Sequence, residues 1–185
     1  DALGKKPVVY TSPPDQRIEN LFWAGPDWLL LHVNRNADVK ATSDNISLLR
    51  LDRLLANNVR TGKSSILLEK DVPQVDLTDV AATPGSWPGE IVMRATSDYG
   101  VGAYRVDLST GRGKVLERYS PLTMHMLFDE AGSPVLELKY DRKQRSYVLM
   151  SRKDGVEYVV GEDESDEISP LDWAGYIDGG NKLAG

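Results

Sequence analysis

Cysteine is missing from the 185 residues, and histidine and phenylalanine occur only twice each. Without cysteine, disulfide frameworks, thiolate zinc sites and cysteine nucleophiles are excluded. No apolar run approaches the ~18–20 residues that a membrane-spanning helix needs, so we expect no membrane partner. Acidic residues outnumber basic ones by 28 to 22. That balance argues against a nucleic-acid partner, because proteins bind nucleic acids mainly through lysine and arginine.

The sequence is instead rich in short apolar runs bounded by Gly, Pro, Asn and Asp, which is the pattern of strands and turns. Tyr104, Val106 and Leu108 alternate with polar residues, as in a half-buried strand. Strands are predicted at residues 8–10, 18–23, 28–33, 66–68, 90–95, 103–108, 115–119, 123–128, 134–140, 145–151 and 156–160. The sequence therefore predicts an all-β fold.

One segment departs from this alternation. Apolar residues within 47–62 have a spacing close to that of a helix, at Leu48, Leu51, Leu54, Leu55 and Val59. We predict a strand from Ile46 to Leu51 that leads into one short helix, Arg53 to Asn58. A single continuous helix is the alternative.

The strands and turns also repeat along the chain. Units of four short antiparallel strands start near residues 18, 75, 122 and 167, a period of about 45 residues that is typical of a β-propeller blade. We predict a single segment of β-propeller-like, four-stranded antiparallel blades, about three full blades plus partial ones. The units are 18–74, 75–121, 122–166 and a partial 167–185. Another all-β fold, such as a two-sheet sandwich, is the alternative.

A strand at Pro7 to Thr11 precedes the first unit and is interpreted as the last strand of an earlier blade. Because blades bury their faces only against neighbouring blades, three units do not obviously close a ring. We therefore expect a segment of a larger propeller. Strand edges left unpaired would let such a segment self-associate.

Motifs that carry chemistry are weak in this sequence. His32 and His125 lie within predicted strands, and the hydrolase pattern Gly-x-Ser-x-Gly is absent, so no Ser-His-Asp triad is predicted. The run 60–65, Arg-Thr-Gly-Lys-Ser-Ser, resembles the end of a P-loop, but Asn57 stands where that motif needs glycine. We interpret the run as a hairpin turn.

Oxygen-bearing residues at 34–38 alternate as in a calcium loop, but Val39 and Asn45 replace the glycine and glutamate that the loop requires. The acidic run 162–167 is interpreted as a solvated loop. The sequence thus predicts no catalytic, cofactor-binding or metal-binding residue.

The four tryptophans could form an aromatic platform for carbohydrate. However, Trp23 and Trp173 occupy equivalent positions in the repeat, which Phe128 shares, so we predict that these aromatics form core between blades. Trp87, in the loop Pro-Gly-Ser-Trp-Pro-Gly, is predicted to be the most exposed of the four.

Four segments together resemble the N-terminal propellers of bacterial prolyl oligopeptidase family serine peptidases, including acylaminoacyl and dipeptidyl peptidase-like members. They are Trp-Ala-Gly-Pro-Asp-Trp-Leu-Leu at 23–30, Ala-Tyr-Arg-Val-Asp-Leu-Ser-Thr-Gly at 103–111, Leu-Phe-Asp-Glu-Ala-Gly-Ser-Pro at 127–134 and Leu-Lys-Tyr-Asp at 138–141. The resemblance covers most of residues 18–180, through motifs of low specificity.

The resemblance implies that catalysis belongs to a C-terminal α/β-hydrolase domain of the same parent chain, which the propeller covers while admitting peptide substrate. None of that domain's motifs is present, so no catalytic residue carries over. We expect a non-catalytic segment that gates access to a serine peptidase, in a secreted or periplasmic setting. The alternative is a propeller-like module that binds a protein or a glycan with no enzyme attached.

Overall fold

The computed structural model describes residues 16–40, 46–72, 78–97, 100–153, 155–162, 176–177 and 182–183. Within these ranges the chain is all-β, with no helix, and so contains no helix able to cross a membrane. The strands form three sheets of four antiparallel strands and one two-stranded hairpin. The all-β prediction is confirmed.

In each four-stranded sheet the strands lie side by side in chain order. Sheet 1 contains β1 (Gln16–Trp23), β2 (Trp28–Lys40), β3 (Ile46–Asn58) and β4 (Ser64–Ile66). Sheet 2 contains β5 (Thr78–Ala82), β6 (Glu90–Ser97), β7 (Gly100–Asp107) and β8 (Gly113–Arg118). Sheet 3 contains β9 (Thr123–Phe128), β10 (Pro134–Asp141), β11 (Ser146–Ser151) and β12 (Glu157–Glu162). The hairpin pairs β13 (Tyr176–Ile177) with β14 (Lys182–Leu183).

The predicted helix at Arg53 to Asn58 is wrong, because these residues complete strand β3. β3 pairs with β2 without interruption from Trp28 opposite Asn58 to Lys40 opposite Ile46. Leu54 and Ala56 are buried, while Arg53 and Leu55 point to the other face and are half-buried. The helical spacing of the leucines is overridden because pairing on both sides of a central strand satisfies its backbone groups.

The fourth strand of sheet 1 is also displaced from its predicted position. The predicted strand, 66–68, starts too late, since β4 ends at Ile66 and residues 67–71 form a turn. Leu68 adopts a left-handed φ of 59° within that turn, and its amide donates to the Gly111 carbonyl at 2.8 Å. Leu67 and Leu68 are fully buried and pack in the core between sheets 1 and 2. The apolar run therefore reflects burial in that core rather than a strand.

Sheet 2 is the central layer of the three. Its residues Ile91, Met93 and Val106 pack against Leu30 and Leu54 of sheet 1. The alternate residues Val92 and Ala103 face the other way and pack with Met126 and Phe128 of sheet 3. Because side chains alternate along a strand, both faces of sheet 2 are buried. Each fully buried aliphatic side chain contributes about 1.5–3 kcal/mol to this packing.

Candidate functional site

An open groove of about 590 Å³ lies between sheets 1 and 2 where β1 turns into β2 and β5 turns into β6. One wall is the turn Ala24–Trp28, and the other is the loop 83–90. The lining contains two tryptophans, two carboxylates and three prolines: Trp28, Trp87, Asp27, Glu90, Pro26, Pro84 and Pro88. Flat apolar rings beside charged groups are suited to binding a side chain that is itself both flat and charged.

The second wall is held by main-chain hydrogen bonds. The Trp87 amide donates to the Pro84 carbonyl at 3.0 Å, and the Glu90 amide donates to the Trp87 carbonyl at 3.1 Å. The loop is also tied to sheet 3, where the Ser86 hydroxyl donates to the Glu130 carbonyl at 2.8 Å. The loop that carries Trp87 is therefore positioned by two sheets.

The prediction that Trp87 is the most exposed tryptophan is wrong, since Trp87 is half-buried whereas Trp23 is exposed. The Arg105 guanidinium lies over the ring, 4.1 Å from its centroid. On sheet 3, Gly132 packs so closely on the ring that an added Cβ would fall well inside van der Waals contact. A Gly- and Pro-rich loop is typical of an exposed tryptophan, but the partners that cover this one lie 18 and 45 positions further along the chain.

Arg105 in turn is fixed by Glu90. Its Nε donates to Glu90 Oε1 at 3.0 Å, and its Nη2 donates to the other carboxylate oxygen. This hydrogen bonding raises the pKa of Arg105 above its already high ordinary value, against a smaller lowering by burial. Trp87, Arg105 and Glu90 thus form a tryptophan–guanidinium–carboxylate unit within the protein.

The first wall also contains a carboxylate and a tryptophan, Asp27 and Trp28. Its carboxylate is paired with a different arginine. Asp27 pairs with Arg60, whose Nε lies 2.5 Å from Asp27 Oδ1. That Oδ1 atom is buried yet makes no hydrogen bond of acceptable geometry within the described part of the chain. The Arg60 side chain is 73% exposed. Each wall therefore contains a tryptophan and a carboxylate that is paired with an arginine. Arg105 is stacked on Trp87 and held by Glu90, whereas Arg60 is largely exposed.

The histidines lie apart from this groove. His32 is half-buried on β2, with its Nε2 3.4 Å from Oδ1 of the buried Asp52 on β3. Among the described residues, no hydroxyl donates a hydrogen bond to that Nε2 atom. The described contacts of His32 therefore do not form a Ser-His-Asp triad. His125 lies on β9 in sheet 3.

The motif that resembled a P-loop forms a hairpin turn, as predicted. The Gly62 amide donates to the Asn58 carbonyl at 2.8 Å, and the Asn58 side chain accepts from the amides of Arg60 and Thr61. Strand β4 begins at Ser64. A phosphate-binding loop would lead into a helix at this point.

Residues 34–38, which alternate like calcium ligands, lie within strand β2 rather than in a loop. No cluster of three or more potential metal ligands occurs in the portion of the chain with described side chains. Residues 7–11, Asn45, 163–167 and Trp173 lie outside the described residues.

Comparison of the chain with protein-family models, with curated proteins and with solved structures finds no match in any of the three.

The sequence predicts a turn at each wall of the groove, but it does not predict that the two turns lie next to each other in space. A signal was present, since Trp28 and Trp87 each lie in or beside a Gly- and Pro-containing turn between the first two strands of consecutive units. Equivalent turns of stacked repeats lie at the same end of the stack.

Proposed function

We propose that this chain is a segment of a β-propeller and that its role is to gate and position peptide beside a catalytic domain. Under this proposal the chain cleaves no bond itself. The catalytic groups belong to an α/β-hydrolase domain of the parent protein, as the resemblance to prolyl oligopeptidase family propellers implies.

The arrangement of the sheets supports the propeller. Three consecutive sheets share the same four-strand order, and they stack face to face in chain order. A propeller is built from such blades, each of which buries its faces against the blades before and after it.

The observation that carries the proposal is the different burial of two equivalent residues. Trp23 ends β1 and Phe128 ends β9, each the last residue of the first strand in its sheet. Phe128 is 8% exposed because it packs against sheet 2, the preceding sheet, whereas Trp23 is 58% exposed. Sheet 1 has no described sheet in front of it, and a further blade at that position would cover Trp23 as sheet 2 covers Phe128.

The face around Trp23 has the character of such an interface. Register places Leu21 opposite Leu31, Trp23 opposite Leu29, and Ile66 opposite Leu55, so these side chains share the face of sheet 1 that points away from sheet 2. Leu21 is also 58% exposed, although Leu31 at the centre of the face is buried. Large exposed apolar patches mark interaction surfaces.

A turnover assay tests the non-catalytic role. The purified chain is incubated with a chromogenic ester, with aminoacyl p-nitroanilides and with a fluorophosphonate probe that labels activated serines. We expect no turnover and no labelling, while an active α/β-hydrolase peptidase assayed in parallel gives both. Stoichiometric labelling or catalytic turnover by the chain would overturn the proposal.

The second candidate is a binding module with no enzyme attached, which the groove between Trp28 and Trp87 favours. The two candidates differ in the sequence expected downstream of the segment in the parent reading frame. A downstream Gly-x-Ser-x-Gly within a strand–turn–helix context supports the gate. A parent without that motif supports the module.

A further inference from the structure

We propose that the groove between Ala24–Trp28 and residues 83–90 binds an arginine side chain of a peptide or protein partner. In this assignment Asp27 pairs with the ligand guanidinium and Trp28 provides a ring beside it. The inference holds for a gate and for a binding module alike, since neither catalysis nor ring closure enters the argument.

The first support is an internal guanidinium that is held by two residues lining the groove, Trp87 and Glu90. Arg105 lies 4.1 Å from the Trp87 ring centroid while Glu90 accepts from its Nε and Nη2. A planar guanidinium can stack on an aromatic ring and donate two parallel hydrogen bonds to a carboxylate at the same time. The second wall thus shows how this combination of groups holds a guanidinium.

The second support is that the first wall holds its own cation poorly. Arg60 is 73% exposed, and its Nε lies 2.5 Å from Asp27 Oδ1. Asp27 Oδ1 is buried without a hydrogen bond of acceptable geometry among the described residues. Ion pairs with a largely exposed partner contribute little to stability, so an incoming guanidinium displaces Arg60 at small cost.

Charge and position agree with this ligand. The protein has a net charge of −6, which attracts a basic partner over long range. Trp28 is half-buried and lines the groove, and the Cβ position of Gly89 on the opposite wall is 3.8 Å from Trp28 Nε1. The two walls therefore approach closely at the Nε1 edge of the Trp28 indole, which marks one boundary of the groove.

The probe is the blocked tripeptide Ac-Gly-Arg-Gly-NH2, and the readout is the indole N–H signals of the four tryptophans in a ¹⁵N-labelled sample. The Trp28 signal is assigned from a Trp28→Phe variant. We expect saturable shifts of the Trp28 signal with the arginine peptide. The same peptide with citrulline, which keeps the shape of arginine but lacks its charge, is expected to cause none.

Two variants give opposite expected results. Asp27→Asn removes the ligand's carboxylate and is expected to weaken binding about tenfold, the loss expected for a charge-assisted pair. Arg60→Ala removes the internal competitor and is expected to strengthen binding, by up to about fivefold. Glu69→Gln, an exposed carboxylate outside the groove, changes net charge as Asp27→Asn does and is expected to have little effect.

Several results would overturn the assignment. They are equal binding of the citrulline peptide, unchanged or weaker binding in Arg60→Ala, and equal losses in Asp27→Asn and Glu69→Gln. Shifts confined to tryptophans other than Trp28 would also overturn it. Because the readout is binding, its failure is distinct from a failure of the turnover assay.

Discussion

At the scale of single residues, the close packing of sheet 3 on the Trp87 loop of sheet 2 requires a residue without a side chain at position 132. Gly132 has a left-handed φ of 73°, and Trp87 occupies the space in which its side chain would lie. Gly155 has nearly the same φ of 72°, but no heavy atom lies within 4 Å of its Cβ position. Substitutions at these two glycines therefore distinguish the cost of backbone strain from the cost of overpacking.

Gly132→Ala is expected to lower the free energy of unfolding by about 3 kcal/mol, because it combines left-handed strain with overpacking against Trp87. Gly155→Ala is the matched control, with an expected cost of about 1–2 kcal/mol from strain alone. Urea unfolding followed by circular dichroism measures both. Equal losses would show that Trp87 does not press on Gly132.

At the scale of strands and sheets, sheets 2 and 3 are joined by a charged connection through Arg152, which follows strand β11. Glu137 on β10 is 3% exposed and accepts from the Thr123 hydroxyl and from Arg152 Nη1, the latter at 3.1 Å. Arg152 Nη2 also contacts Glu117 on β8 at 3.1 Å. One arginine thus neutralises a buried carboxylate and links two sheets.

Arg152→Met is expected to destabilise the protein by about 2 kcal/mol, because it leaves the buried Glu137 carboxylate without its cation. Glu117→Gln is expected to cost about 0.5 kcal/mol, since that carboxylate is partly exposed. The double variant Arg152→Met/Glu137→Gln is expected to recover part of the loss, as glutamine still accepts from Thr123. Urea midpoints of the three variants give the comparison, and equal losses in the two single variants would contradict this account.

At the scale of the whole molecule, the order in which the sheets stack decides which sheet faces are covered. Sheet 2 is covered on both faces, whereas the face of sheet 1 that points away from it exposes Leu21 and Trp23. Among the described residues no sheet covers Trp23, which was predicted to form core between blades, whereas its equivalent Phe128 is buried as predicted. Position in the repeat fixed which face each residue occupies, and the neighbouring sheet determined whether that face is covered.

This difference is measurable as a pair of equivalent substitutions. Phe128→Ala is expected to cost about 3 kcal/mol, because it empties a packed site between sheets 2 and 3. Trp23→Ala is expected to cost less than about 1 kcal/mol, since the ring is largely in solvent. Thermal unfolding of both variants checks the order of the two losses. A Trp23→Ala loss as large as that of Phe128→Ala would mean that sheet 1 is covered in solution.

The sequence by itself determined the all-β class and most strand positions, because alternation and turn residues act over a few neighbouring positions. β9 was predicted to the residue at 123–128. Strand β3 was not, since the leucines of 47–59 fit a helical period equally well and only pairing with β2 along its full length decides between them.

The burial of Trp87, the exposure of Trp23 and the groove between Trp28 and Trp87 were decided by tertiary structure alone. Burial and exposure depend on groups far apart in the chain: Arg105 and Gly132 for Trp87, and the sheet on which Phe128 packs but Trp23 does not. Local pattern assigns a side chain to a face, whereas burial and charge pairing depend on the groups that the fold packs against that face.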